Sequence, residues 1–253
     1  MRTAPQGLLF DYGGTLVEEV SFDSRAGNEW LLSRASHRPP SVSIDDVLMR
    51  VRRIASDVAA RREETHVETP WPAMTRLIHD FLGIRFDLPM AELEMGFWRA
   101  SVRTRLMRGV LPALERFREW GMRLGVVSNS SFSESVIRYE LSKHGLADQL
   151  DVVVASAEYA VRKPNPLLFD TAAARLGIPA NRTWFMGDRL DTDIAGAKAA
   201  EMTAVWFNVH ETEDPARTAD LVVRDWDELV LHTSRTANRT GDPPLTRVHT
   251  EAS

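Results

Sequence analysis

The chain has 253 residues, 43% of them hydrophobic, with 31 basic and 36 acidic side chains and a net charge of −5. That length suits one large domain or a core with a smaller insert, and the apolar share excludes disorder along the whole chain. The acidic balance gives no support to nucleic-acid or anionic-membrane partners, and the absence of Cys excludes disulfides, thiol nucleophiles and Cys-ligated metals.

No run approaches the ~18 apolar residues of a membrane span. Met1 to Gln6 lead into the first strand-like run without an apolar stretch, so a cytoplasmic protein is expected. That first run, Leu8-Leu9-Phe10, ends at Asp11 and is followed by Gly13 and Gly14. From Val17 to Arg105 the pattern is amphipathic and helical, as in Asp45 to Arg62 and Trp71 to Leu82, with no convincing buried strand. Trp30, Trp71 and Trp98 in this stretch are expected to pack rather than to line a pocket. Arg50, Arg52 and Arg53 read as a solvated helix face, and His37 as an exposed loop residue.

A helix is predicted over Pro112 to Trp120, then a strand over Leu124 to Val127 that ends at Ser128 and Asn129. Helix Ser133 to His144 follows, with Ser131-x-x-Glu134 resembling a capping box at or near its start. Strand Val152 to Val154, helix Pro166 to Leu176, strand Trp184 to Met186, helix Asp193 to Ala200 and strand Ala204 to Phe207 complete the alternation, and Leu221 to Val223 is a weaker sixth strand. Gly121, Gly145 and Gly177 stand where helices should stop. The apolar runs lack polar alternation, as strands covered on both faces do. The expected architecture is α/β: a Rossmann-like parallel-sheet core from residues 1–16 and 106–233 carrying an inserted all-α domain over 17–105. Residues 234–253, polar and containing Gly241 and Pro243-Pro244, are expected to form a flexible tail.

In open α/β sheets ligands bind beyond the carboxyl ends of the strands. Asp11, Ser128, Asn129 and Asp188 all fall at such ends, and Lys163 lies in the loop after Val152 to Val154. Singly, each suits a turn or a helix cap. Together they offer a nucleophile, a hydroxyl, a cation and a carboxylate cluster at one edge. Lys163 is also one of only three lysines, with Lys143 and Lys198 on helical patterns, so generic solvation is a poor account of it.

Four segments in order carry a family resemblance: Leu8-Leu9-Phe10-Asp11-Tyr12-Gly13-Gly14-Thr15-Leu16, Val126-Val127-Ser128-Asn129, Arg162-Lys163-Pro164, and Gly187-Asp188-Arg189-Leu190-Asp191-Thr192-Asp193. The chain resembles the haloacid dehalogenase superfamily of Mg²⁺-dependent hydrolases. The resemblance implies Asp11 as nucleophile, Ser128, Asn129 and Lys163 as phosphate ligands, and a Mg²⁺ held by Asp11, the Gly13 carbonyl, Asp188 and Asp193. It implies that the insert is a cap over a small phosphorylated substrate, cleaved through an aspartyl-phosphate. The chemistry is consistent, because a carboxylate meets a phosphate dianion only when cations neutralise the pair. Asp191 reads better as a first-turn acid than as a ligand, and Thr15 as structural.

One position departs from the resemblance. Family phosphatases carry a second Asp two residues after the nucleophile, as proton donor and then base; here that residue is Gly13. Three readings follow: a phosphatase whose acid comes from Glu18, Glu19 or an insert residue; a phosphate-ligand binding or regulatory protein on the same scaffold; and a dehalogenase-type enzyme, which needs no metal and fits Asp188 and Asp193 poorly.

Overall fold

The computed structural model describes residues 4–214 and 216–240. Strand β1 (Gly7–Phe10) is wholly buried. The chain then leaves the sheet through a two-stranded antiparallel arm, β2 (Val17–Phe22) and β3 (Val102–Leu106), between which lie four helices. These are α1 (Ser24–Ser33), α2 (Ile44–Thr65), α3 (Trp71–Phe81) and α4 (Met90–Ser101). Local chemistry starts each one. Asp23 caps α1 by accepting from the Ala26 N–H, and Ser43 and Asp46 form a reciprocal capping box on α2. Pro70 and Pro89 precede α3 and α4 in extended conformations.

The arm itself was not expected. Five of the six residues of β2 are exposed, so it shows no apolar run, and its two strands hold together by pairing rather than by a core.

After the arm come α5 (Val110–Glu119), β4 (Arg123–Ser128), α6 (Glu134–Lys143), β5 (Val152–Ala155), α7 (Pro166–Leu176), β6 (Thr183–Gly187), α8 (Ala195–Ala199), β7 (Thr203–Phe207), β8 (Leu221–Val223) and α9 (Trp226–Thr240). The predicted strands are all present, the weaker sixth included. The N-cap of α6 is Ser133, not Ser131, and its hydroxyl donates to Glu94 at 2.7 Å instead of closing a capping box. The expected tail also starts later: α9 runs on to Thr240, with the Thr233 hydroxyl bonded back to the Leu229 carbonyl at 2.8 Å. The rest of that expectation, 241–253, lies outside the described residues.

Six strands form one parallel sheet in the order β5-β4-β1-β6-β7-β8. Alternate residues of each strand enter opposite layers. Leu8, Phe10, Leu124, Val126, Trp184 and Met186 pack with residues of α5, α6 and α9. Leu9, Val127, Val152, Phe185 and Ala204 pack with residues of α7 and α8. Both faces are covered, which is why the strands read as unbroken apolar runs. The strand order reverses at β1, whose neighbours β4 and β6 lead the sheet away on either side, so the switch point lies beyond Phe10. No helix among the described residues is long and apolar enough to cross a membrane.

The inserted helices meet the core through an aromatic seam. Trp71 and Phe97 lie 5.1 Å apart, and Trp98 packs edge-on at 4.8 Å against Phe132, in the loop before α6. Trp71 and Trp98 pack as expected. Within the insert, α1 and α4 approach so closely that each needs a glycine: a Cβ on Gly27 would lie 2.5 Å from Phe97, and one on Gly96 only 1.9 Å from Trp30. Overpacking of this kind costs typically 1–3 kcal/mol. Gly96→Ala is therefore expected to lower the unfolding free energy by about 1–3 kcal/mol, read by urea denaturation, despite the better helix propensity of Ala.

Candidate active site

Asp11 follows β1, and its N–H donates to the Met186 carbonyl at 2.8 Å, continuing the pairing of β1 with β6 by one residue. Asp188 follows β6 in the same way. A π-type turn, Leu190–Ile194, then leads into α8 and changes which side chains face inward. Asp193 is turned in and is 1% exposed. Asp191 is turned out, with its carboxylate on the Arg189 guanidinium at 2.7 and 3.1 Å. Asp11, Asp188 and Asp193 each offer an oxygen, and the three lie within 4.8 Å of one another.

Lys163 is 2% exposed and sits among them. Its ammonium donates to Asp11 at 2.5 Å and to the Val127 carbonyl at 3.0 Å, and lies 2.7 Å from Asp193. Asn129 holds the lysine in place: its Oδ1 accepts from the Lys163 N–H at 2.7 Å, and its Nδ2 donates to the Lys163 carbonyl at 3.1 Å. The Asn129 carboxamide, expected on the phosphate, is thus engaged with the lysine backbone. Lys143 and Lys198 are partly exposed and paired with Glu140 and Asp220.

Charge in this cluster is unbalanced, since three carboxylates face one ammonium. Burial pushes the Asp11 carboxyl well above its usual range, against the pull of Lys163, with Asp193 and Asp188 adding to the rise. Burial and Asp193 raise Asp188 as well. Lys163 goes up too: burial alone would lower it, but Asp11 and Asp193 outweigh that. A compact set of hard oxygen donors with surplus negative charge suits a small divalent cation. The backbone is shaped around the carboxylates. A Cβ on Gly14, which has φ +80°, would lie 2.7 Å from Asp188, and one on Gly187 2.4 Å from Asp193. Only glycine fits at either position.

These residues floor a cavity of about 500 Å³, which Ser128 and Gly13 also line. Its far wall comes from the arm and insert: Glu19, Phe22, Arg62, His66, Trp98 and Thr104. Trp98 therefore lines the cavity as well as packing. Of the two acids considered as substitutes at position 13, Glu18 pairs with Arg105 at 2.5 Å and does not line the cavity, whereas Glu19 does. Thr15 is buried, and its hydroxyl has no partner among the described residues. His37 is exposed, and Arg50 lies 4.0 Å over the Phe81 ring.

Two buried carboxylates at the join escaped sequence reading. Glu68, just after α2, accepts from Arg62 at 2.6 Å, from the Ser156 hydroxyl at 2.6 Å, and from Arg162, beside Lys163. Glu140 on α6 accepts from Trp98 Nε1 at 2.8 Å and from the Thr104 hydroxyl. Neither lies in a local pattern that signals its partners.

Residues 5–201 match the family model of the haloacid dehalogenase-like hydrolases. The chain belongs to that family. A glyceraldehyde 3-phosphate phosphatase of Methanopyrus kandleri is 37% identical over 119 residues, covering 47% of this chain and 50% of that protein. A phosphoglycolate phosphatase of Xanthomonas campestris is 26% identical over 229 residues, 89% of this chain and 95% of the other. The matched stretch of this chain spans about half the length of the first curated relatives. Among solved structures, a HAD phosphatase from Thermococcus onnurineus has TM-score 0.61 at 24% identity, covering 95% of this chain and all of that one. That likeness establishes the shared fold.

Removing one partner of a buried ion pair costs about 3–5 kcal/mol when the other is left uncompensated. Arg62 and Arg162 keep some exposure, so Glu68→Ala is expected at the low end, a loss of about 3 kcal/mol by chemical denaturation. Arg62→Gln, which leaves Glu68 its other partners, should cost less.

Proposed function

We propose that this hydrolase is a Mg²⁺-dependent phosphatase of small phosphorylated metabolites, working through an aspartyl-phosphate on Asp11. The observation that carries this reading is the cluster of buried Asp11, Lys163 and Asp193 with half-buried Asp188 at the floor of a cavity. The family membership and the phosphatase names of the relatives support it.

Asp11, Asp188 and Asp193, with the Gly13 carbonyl, would hold the metal, which when bound supplies the positive charge that lets a carboxylate and a phosphate approach each other. The protein groups divide the remaining work. Asp11 presents one carboxylate oxygen in line with phosphorus. Lys163, fixed by Asn129, neutralises both Asp11 and the incoming phosphate oxygens. The Ser128 hydroxyl, at the end of β4, donates to a second phosphate oxygen. The inserted helices act as a cap whose wall excludes bulk water and reads the rest of the substrate. A regulatory role for a catalytically attenuated scaffold draws only on Gly13. The retained nucleophile, lysine and acidic pair favour turnover.

Purified protein with Mg²⁺ is expected to release phosphate from 4-nitrophenyl phosphate, and Asp11→Asn to reduce release to background. Equal release from the two proteins would overturn the reading. Independently of activity, Mg²⁺ at 100 times its Kd should stabilise the fold by about 2.7 kcal/mol in thermal unfolding, an effect that Asp188→Asn should largely remove.

A further inference from the structure

Position 13 is open. Gly13 is exposed, and a Cβ built on it meets no atom within 4 Å, so the space where a motif-one acid would stand is free. Glu19 and Asp191 are the only carboxylates lining the cavity, among the described residues, besides the three on its floor. Asp191 is turned out onto the Arg189 guanidinium, which engages both its carboxylate oxygens and holds its carboxyl below the ordinary range. Glu19 takes no ion pair or side-chain hydrogen bond among the described residues, whereas its neighbour Glu18 is paired away on Arg105.

The backbone brings Glu19 to this space. Gly13 bridges to Val17, and the Gly14 N–H donates to the Val17 carbonyl at 2.8 Å. Glu19 lies two residues further along β2, a rise of about 7 Å, within reach of a long side chain turned back over the cavity. The pairing of β2 with β3 shifts register between Glu19 and Ser21, the kind of irregularity that re-aims a side chain. Tyr12 adds an independent marker. Its phenol is buried, has no hydrogen-bond partner among the described residues and lines the same cavity; burial raises its pKa most, and Glu140, Glu19 and Asp11 add to the rise. Glu19 is therefore near the residue adjoining the nucleophile. His66, another titratable side chain on that wall, is reached through a different segment: its backbone is bonded to Arg62 and Arg162, whereas Glu19 follows directly from the Gly13–Val17 bridge.

We propose that Glu19 is the acid and base that motif one lacks, a catalytic role resting on the phosphatase reading above. As the Asp11 oxygen bonds to phosphorus and the ester P–O bond breaks, the Glu19 carboxylic acid protonates the leaving oxygen and the alcohol departs. The Glu19 carboxylate then takes a proton from water, whose oxygen attacks phosphorus. The Asp11–phosphorus bond breaks, phosphate is released, and Glu19 is again protonated.

The test is Glu19→Gln in the full chain, assayed with 4-nitrophenyl phosphate and phenyl phosphate in Mg²⁺. The expected result with 4-nitrophenyl phosphate is a rapid release of nitrophenolate equal to the enzyme present, then steady turnover reduced ~10²–10⁴-fold, because the second step has lost its base. With phenyl phosphate, whose leaving group needs the proton, the first release should slow as well. Adding Gly13→Asp to Glu19→Gln should restore both steps, since an Asp there meets no obstruction. Steady turnover by Glu19→Gln within threefold of wild type, or a loss that strikes both substrates equally with no initial release and no rescue, would overturn the proposal. Wild-type turnover no greater than that of Asp11→Asn would instead remove the phosphatase reading and this role with it. The two failures are thus distinguishable.

Discussion

A single buried ammonium organises the working edge of this molecule. Lys163 is 2% exposed, a costly position for a charge. It is tolerated because Asp11 and Asp193 lie at 2.5 and 2.7 Å and the Val127 carbonyl at 3.0 Å. The dependence is mutual, since Asp11, Asp188 and Asp193 could not crowd together without a cation between them. At an effective dielectric of ~20, two unit charges 4 Å apart interact by about 4 kcal/mol, enough that each partner constrains the others. The ends of β1 and β4, the turn after β6 and the loop before α7 all meet at this ammonium. The sheet order makes the meeting possible, because β1 has β4 and β6 as its neighbours.

Much of this was legible in the sequence for a specific reason. Strands covered on both faces must be apolar throughout, so Leu8 to Phe10 and Trp184 to Met186 announce themselves, and a parallel sheet aligns its carboxyl ends. Reading the polar residues after the runs therefore brings Asp11, Ser128 and Asp188 to one edge from the sequence alone, with Lys163 in the loop that follows Val152 to Val154. Spacing alone could not separate Asp191 from Asp193. The π-type turn over Leu190–Ile194 turns the second inward and leaves the first on Arg189. The arm was invisible because β2 is nearly all exposed and has no face to bury. Helix α9 was not predicted for a related reason: beyond Leu231 its sequence is polar, and the segment from Ser234 was read as a tail. Glu68 was beyond reach altogether. Its partners Ser156 and Arg162 lie 88 and 94 residues away, and nothing local requires a carboxylate there.

The join between core and insert is polar as well as apolar, and that changes what it specifies. Aromatic packing at Trp71, Trp98 and Phe132 supplies area but tolerates small slides. The buried carboxylates are less forgiving. Glu68 reaches from the insert to Ser156 and Arg162 of the core, and Glu140 from the core to Trp98 and Thr104. Hydrogen bonds to a buried charge are directional, and losing one leaves a costly unpaired group. These two residues therefore fix the cavity wall relative to its floor more tightly than apolar contact could.

The same join has a consequence for proton transfer. A donor on motif one would ride on the loop that carries the nucleophile, and its position would depend on the core alone. A donor on β2 depends on the arm. Glu19 pairs across to Thr104 on β3, and Thr104 is bonded to Glu140 on α6 and lies 2.6 Å from His144 Nε2. The route from α6 to the space over Gly13 thus runs through one buried carboxylate, one threonine hydroxyl and one cross-strand pair. Glu140 keeps its charge: burial would raise it, but hydrogen bonds from Lys143, Thr104 and Trp98 hold it below its ordinary range. An ionised Glu140 anchors Thr104 firmly, and through it the strand on which Glu19 stands. If the acid stands on the arm as proposed, the chemistry is tied to the seating of the insert, because the strand that carries Glu19 is held to the core through Thr104 and Glu140.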